Sequence, residues 1–202
     1  MKILLTAFEP FGGETMNSAM ETMRACDTSA LSAEVRRLEV PTVFYESIEV
    51  VQQAIRDFHP DVILCLGQAG GRSALTPERV AINVNDARIP DNGGRQPVDE
   101  PIFVDGPAAY FSSLPLKAMI ASIQAAGVPA SVSNTAGTFV CNHLMYGVLH
   151  TLAQNCPTCI GGFMHLPYLK EQVTERPETP SLSLENLARG LRAALIAIID
   201  HH

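Results

Sequence analysis

A chain of 202 residues, 47% hydrophobic and 17% charged, is long enough to bury a substantial core and suits one domain, residues 1–202. Its formal net charge of −7 argues against nucleic acid or an anionic membrane as partner, since either would call for a basic face. No run of about 18 apolar residues offers a membrane span, and the odd, scattered set of cysteines (26, 65, 141, 156 and 159) fits unpaired thiols in a reducing cytoplasm.

The chain opens on MKILLTAFEPFGG, an apolar run that stops at Glu9 and lacks a small-residue cleavage site. It reads as a first strand over 2–8 and not as a signal peptide. A helix follows over 17–26 with Asn17 as its N-cap. An alternating strand spans 34–41, and Ile48, Val51 and Ile55 space a helix over 45–58. DVILCLG (61–67) is a near-continuous apolar run of the kind a strand buried on both faces requires.

Residues 68–115 break this rhythm. They carry Gly, Pro, Asn and Asp clusters such as RIPDNGGRQPVDEP, and predict short strand pieces joined by loops of the sort that carry function. A helix over 116–126, a turn and strand through AGVPASVSN, a helix over 142–153 and the strand CIGGFMHLP come next. The last helix, 184–200, is capped near Ser183 and places Leu187, Leu191, Leu195 and Ile198 on one side. This alternation predicts an α/β chain: a mostly parallel sheet between two layers of helices.

In such sheets ligands bind beyond the carboxyl ends of the strands. AFEPFGG, GQAGGR, NTAGTFVC and the His of FMHLP all arrive at strand ends, so four segments converge on one edge. Cys141 stands at a helix start, where the macrodipole favours a thiolate and free backbone N–H groups suit an oxyanion. The plainer reading is a small apolar thiol under a helix. A nucleophilic Cys needs a base, usually His. His143 lies two residues along the helix and points away from Cys141, whereas His165 closes a strand; a lone His there is also a common structural residue. Glu78 in LTPERVAIN could orient His165, or could be a solvated surface charge. Phe8 and Phe11 could grip a flat neutral group or simply fill the core.

Three blocks carry a family resemblance: LLTAFEPFGGETMNSA, GQAGGRSALTPERVAINVNDARIPDN and VSNTAGTFVCNHLMYG, with GFMHLPY in support. Together they resemble pyroglutamyl peptidase type I, a family of cysteine peptidases that cleave after an N-terminal pyroglutamyl residue. The resemblance implies Cys141 as nucleophile, His165 as general base and acid, and Glu78 as the residue orienting His165. It implies that Phe8 and Phe11 sandwich the pyroglutamyl ring and that Gln68 and Asn17 lie in or beside the pocket. Arg88 would lie near the oxyanion and Ile89 against the ring. A single-domain three-layer α/β/α sandwich, soluble, with no metal or cofactor and often tetrameric, is implied as well.

Two other readings stay open. Cys156 and Cys159, spaced C-P-T-C, could be a redox or zinc pair, although they follow a helix instead of starting one and no second ligand pair lies nearby. GQAGGR could belong to a binding module without catalysis, although neither G-x-G-x-x-G nor a P-loop pattern occurs.

Overall fold

The computed structural model describes residues 1–202. Along the chain run β1 (Lys2–Phe8), α1 (Ser18–Ala25), β2 (Glu34–Val40), α2 (Glu46–Phe58) and β3 (Val62–Gln68). Three short strands follow: β4 (Thr76–Pro77), β5 (Val80–Ile82) and β6 (Ala109–Phe111). Then come α3 (Leu116–Ala125), α4 (Val140–Asn155), β7 (Ile160–Leu166), β8 (Tyr168–Leu169), β9 (Ser181–Leu182) and α5 (Leu184–Asp200). The main sheet has the order β2-β1-β3-β7-β4. Its first four strands are parallel, and β4 is antiparallel to β7.

Beyond β4 the backbone of 129–133 adds a further rung. Leu75 N–H donates to Pro129 O, Ser131 N–H to Leu75 O, Ser133 N–H to Pro77 O and Arg79 N–H to Ser133 O, at distances between 2.8 and 3.1 Å. The strand expected in AGVPASVSN therefore exists as a paired edge segment, entered through Gly127 at φ +74°.

A strand's side chains alternate between the two faces of its sheet, and both faces here are apolar. Ile3, Leu5 and Ala7 of β1, Val62, Leu64 and Leu66 of β3, and Met164 and Leu166 of β7 pack with α1, α3 and α5 through Met20, Met119, Leu187 and Leu191. The alternate residues Leu4, Phe8, Ile63, Cys65 and Phe163 pack with Ile48 and Val51 of α2 and with Leu144, Val148 and Leu152 of α4. The result is the expected three-layer α/β/α sandwich with a mostly parallel sheet. This parity also decides the site: His165, two residues past Phe163, faces the layer that contains α4.

Residues 68–115 are ordered mainly by side-chain-to-backbone bonds. Asn83 Oδ1 accepts the N–H groups of Ile102 and Phe103, and buried Asp91 accepts those of Phe44, Gly93 and Arg95. Two features differ from expectation. The helix expected from 142 begins at Val140, which puts Cys141 inside its first turn. The cysteines are also not all unpaired: Cys156 and Cys159 form a disulfide in the tight turn from α4 into β7, where their Cα atoms lie 5.4 Å apart, well within bonding range.

Candidate active site

The site is built where β1, β3 and β7 end and α4 begins. His165 is almost fully buried on β7, and its Nδ1–H donates to Glu78 Oε1 at 2.6 Å. A carboxylate can only accept, so the pair assigns the ring proton to Nδ1 and leaves Nε2 as the acceptor. Glu78 is wholly buried just after β4, and its own N–H donates to Phe163 O at 2.8 Å, which holds it against β7. The Arg72 guanidinium donates to the same Oε1 at 2.7 Å.

Cys141 is half-buried in the first turn of α4. Its Sγ sits over Gly67: a Cβ added there would lie 3.0 Å from Sγ and 2.7 Å from Phe163 Cζ. Gly67 is also the register partner of His165 on the adjoining strand. Neighbouring strands therefore present the seat of the thiol and the imidazole side by side, roughly 4.8 Å apart in backbone spacing. No hydrogen bond joins Sγ to the ring in this structure. The N–H groups of Val140, Cys141 and Asn142 make no hydrogen bond within the protein, and no side chain caps the helix. They form a donor set at the positive end of the helix.

The electrostatics differ from expectation at Cys141. Burial, with the Glu78 carboxylate nearby, pushes its thiol up to about 12, against a smaller opposing effect of Arg72. Burial also holds His165 below its ordinary value, although the Glu78 hydrogen bond and charge work the other way. For Glu78, burial alone would raise the pKa. The hydrogen bond and charge of His165, the Ser133 hydroxyl and the Arg72 guanidinium outweigh it and hold the carboxyl below its usual range. The resting site is thus a neutral thiol, a neutral imidazole and an ionised carboxylate.

Around this centre the aromatic residues divide into two kinds. Phe8 is nearly fully covered, with its ring centre 6.3 Å from that of Phe163. Phe11 is half-buried and lies 6.2 Å from half-buried Phe139, which in turn meets Phe44 edge-on at 5.4 Å. Phe8 and Phe11 do not stack on one another. Phe139, the residue before α4, belongs to the aromatic wall beside Phe11 and carried no distinctive sequence signal. Gly67 and Arg72 were also missed, the first hidden at the end of an apolar run and the second in a loop.

Asn17 is the α1 N-cap: Oδ1 accepts Ala19 N–H at 3.0 Å and Nδ2 donates to Glu9 O at 3.1 Å, tying the FEPFGG loop to the helix. Gln68 ends β3, and its Oε1 accepts from Ser18 N–H and from Gln172 Nε2, which leaves its amide NH2 free of protein partners. Arg88 is exposed with no side-chain bond within the protein, and Ile89 is half-buried. Their loop is fastened three residues before Cys141, where Asp86 N–H donates to Thr138 O at 3.0 Å and Thr138 Oγ1 donates to Asp86 O at 2.7 Å.

His143 points away from Cys141, as helix geometry demands. It is wholly buried: Nε2 accepts Tyr45 N–H at 2.7 Å and Nδ1–H donates to Asn85 Oδ1 at 2.9 Å. No three His, Cys, Asp or Glu side chains cluster closely enough to share a metal ion.

Comparison with known proteins fits this picture over the whole chain. Residues 1–201 match the family model described as pyroglutamyl peptidase. The pyrrolidone-carboxylate peptidase of Streptococcus pyogenes serotype M3 is 58% identical over 200 residues, which cover 99% of this chain and 93% of that protein. The crystal structure of pyroglutamyl peptidase I from Bacillus amyloliquefaciens superposes with a TM-score of 0.95 at 48% identity, covering 99% of this chain and 97% of that one. That of pyrrolidone carboxyl peptidase from the hyperthermophile Pyrococcus furiosus gives 0.94 at 38% identity, covering 100% and 99%. Fold and likeness together define a peptide hydrolase. The chain belongs to the pyroglutamyl peptidase family.

Proposed function

We propose that this chain is a thiol omega-peptidase that releases 5-oxoproline from peptides and proteins with an N-terminal pyroglutamyl residue, through a thioester on Cys141. The observation that carries the reading is the seating of Cys141 Sγ over Gly67, beside the His165–Glu78 pair and at the free N–H groups of α4. A pyroglutamyl end is a lactam with no charge. Apolar walls and a few hydrogen bonds therefore suffice to hold it, and Phe8 and Phe11, with Ile89 against the ring, supply the walls. The free amide NH2 of Gln68 offers a donor at the pocket, with Asn17 holding the loop beside it.

Since thiol and imidazole are both neutral at rest, His165 Nε2 takes the thiol proton as Sγ attacks the carbonyl carbon. The oxyanion develops toward the N–H groups at the start of α4, with Arg88 near it. His165 then passes its proton to the leaving amine as the C–N bond breaks. Water, giving a proton to the same nitrogen, attacks the thioester; 5-oxoproline leaves and the proton returns to Sγ. Glu78 stays ionised throughout and holds the Nδ1–H tautomer.

The test is Cys141→Ala assayed with a pyroglutamyl amide of a fluorescent amine. Release is expected to fall to background while the thermal midpoint is kept; unchanged turnover would sink the reading. Residues 1–202 acting as one catalytic domain, residence in the cytoplasm and, on family resemblance, assembly as a homotetramer complete the proposal. No helix is long and apolar enough to cross a membrane.

A further inference from the structure

We propose that Arg72 is a positioning residue of the reaction: its guanidinium keeps Glu78 ionised, and so keeps His165 in the tautomer that can accept the thiol proton. This rests on the roles given above to Cys141, His165 and Glu78. Glu78 is wholly buried, and a buried carboxylate without a countercharge takes up a proton instead of remaining charged. A protonated Glu78 would donate to His165 Nδ1. The ring hydrogen would then sit on Nε2, which could no longer act as the base.

Arg72 is placed to prevent this. Its Nη1 donates to Glu78 Oε1 at 2.7 Å, on the same oxygen that His165 Nδ1 reaches at 2.6 Å, and also to Thr76 Oγ1. Its Nη2 donates to Thr135 O at 3.2 Å, in the segment leading to Cys141. One guanidinium thus spans the carboxylate, β4 and the approach to the nucleophile. With only 26% of its side chain exposed, its charge is little screened by water.

The charged and titratable groups facing Glu78 are His165 from β7, Arg72 from the loop after β3, and the Cys141 thiol from α4, behind which lies buried Cys65 of β3. Arg72 is the only fixed cation among them. Its loss raises the proton affinity of Glu78 and of His165 alike. Whichever member of the pair takes the proton, the acid limb of activity moves the same way.

The experiment compares Arg72→Gln, Arg72→Lys and Glu78→Gln by the pH profile of kcat/KM on a pyroglutamyl amide, with urea unfolding of each. In Arg72→Gln the acid limb is expected to rise by about 1–3 pH units, the range one opposite charge produces in a carboxylate. Lysine, which restores the charge without the fork, is expected to return the limb most of the way. A uniform loss of rate with the limb in its original place, equal in the Gln and Lys variants, would mean that Arg72 only braces the loop, and would overturn the proposal. Glu78→Gln separates the two ideas: full activity there would sink the triad, whereas impaired Glu78→Gln beside an unshifted Arg72→Gln would sink only the role of Arg72. If Arg72→Gln does not fold, Arg72→Met, which keeps the apolar stem without the charge, takes its place in the same comparison. Carbon-13 labelling of glutamate carboxyls in the unaltered enzyme is a second check: an inflection of Glu78 at or above the ordinary Glu value would overturn the proposal.

Discussion

A single methyl group added at Gly67 would meet Phe163 Cζ at 2.7 Å and Cys141 Sγ at 3.0 Å, with the phenyl ring too rigidly packed to give way cheaply. Gly67→Ala therefore should displace the thiol more than it unfolds the protein. We expect kcat/KM to fall by roughly 100-fold, the scale associated with a misplacement of about 1 Å, and stability to drop by about 1–3 kcal/mol from overpacking. Steady-state kinetics beside urea unfolding check both; a fully active Ala variant would show that the thiol does not depend on this seat. The same residue explains what the sequence concealed. Cys141, His165 and Glu78 each stand at a helix start or strand end, which local patterns reveal. Gly67, Arg72 and Phe139 acquire their roles from partners that pattern does not reach: Arg72 meets Thr135 across 63 residues of chain. The direction of the thiol's shift was hidden for the same reason, since the helix start is visible locally and the burial around it is not.

At the scale of the element, α4 meets α2 through a close contact at Gly147. A Cβ at Gly147 would approach Ile48 Cδ1 to 2.2 Å and Cγ1 to 2.4 Å. Glycine inside a helix costs about 1 kcal/mol relative to alanine, so its presence here is offset by the approach it permits. Gly147→Ala is expected to destabilise by about 1–3 kcal/mol despite its better helix propensity. Combining it with Ile48→Val, which removes the nearest methyl, should cost less than the two changes summed. Strict additivity in denaturant unfolding would count against this contact. The main helices were legible from apolar spacing, and their ends from caps such as Asn17 and Ser183. The pairing inside residues 68–115 was not, because Asn83 and Asp91 fix that region through loop contacts with no period to read.

For the whole molecule, acid is the expected weakness. His143 uses both ring nitrogens: Nε2 accepts the N–H of Tyr45, a non-glycine residue at φ +66°, and Nδ1–H donates to Asn85. A second ring proton would point straight at the Tyr45 N–H, and burial pushes the His143 pKa down to about 3. The unfolded chain, with an ordinary His near 6.5, therefore binds this proton first. Stability is complete above about pH 6.5 and is lost as pH falls toward 3, at about 1.4 kcal/mol per unit from this one group. Buried His165 and the depressed Glu78 act in the same direction. The urea midpoint should fall between pH 6.5 and 4, and in His143→Gln the fall should be shallower by about one proton. Identical slopes would assign the loss elsewhere. The sandwich itself was readable because runs such as DVILCLG announce burial on both faces. The antiparallel sense of β4 was not, since a strand of two residues shows no alternation to read; the strand in AGVPASVSN was legible, but its pairing beside β4 was not.

The bond between Cys156 and Cys159 gives α4 opposite chemical requirements at its two ends. In the proposed reaction its first turn needs a reduced sulfur, while the turn that leads from its other end into β7 is closed by an oxidised pair. Any thiol reagent that guards Cys141 also acts on that tie, so a preparation handled with reductant and one handled without would share a catalytic centre yet differ in how firmly the far end of its helix is anchored.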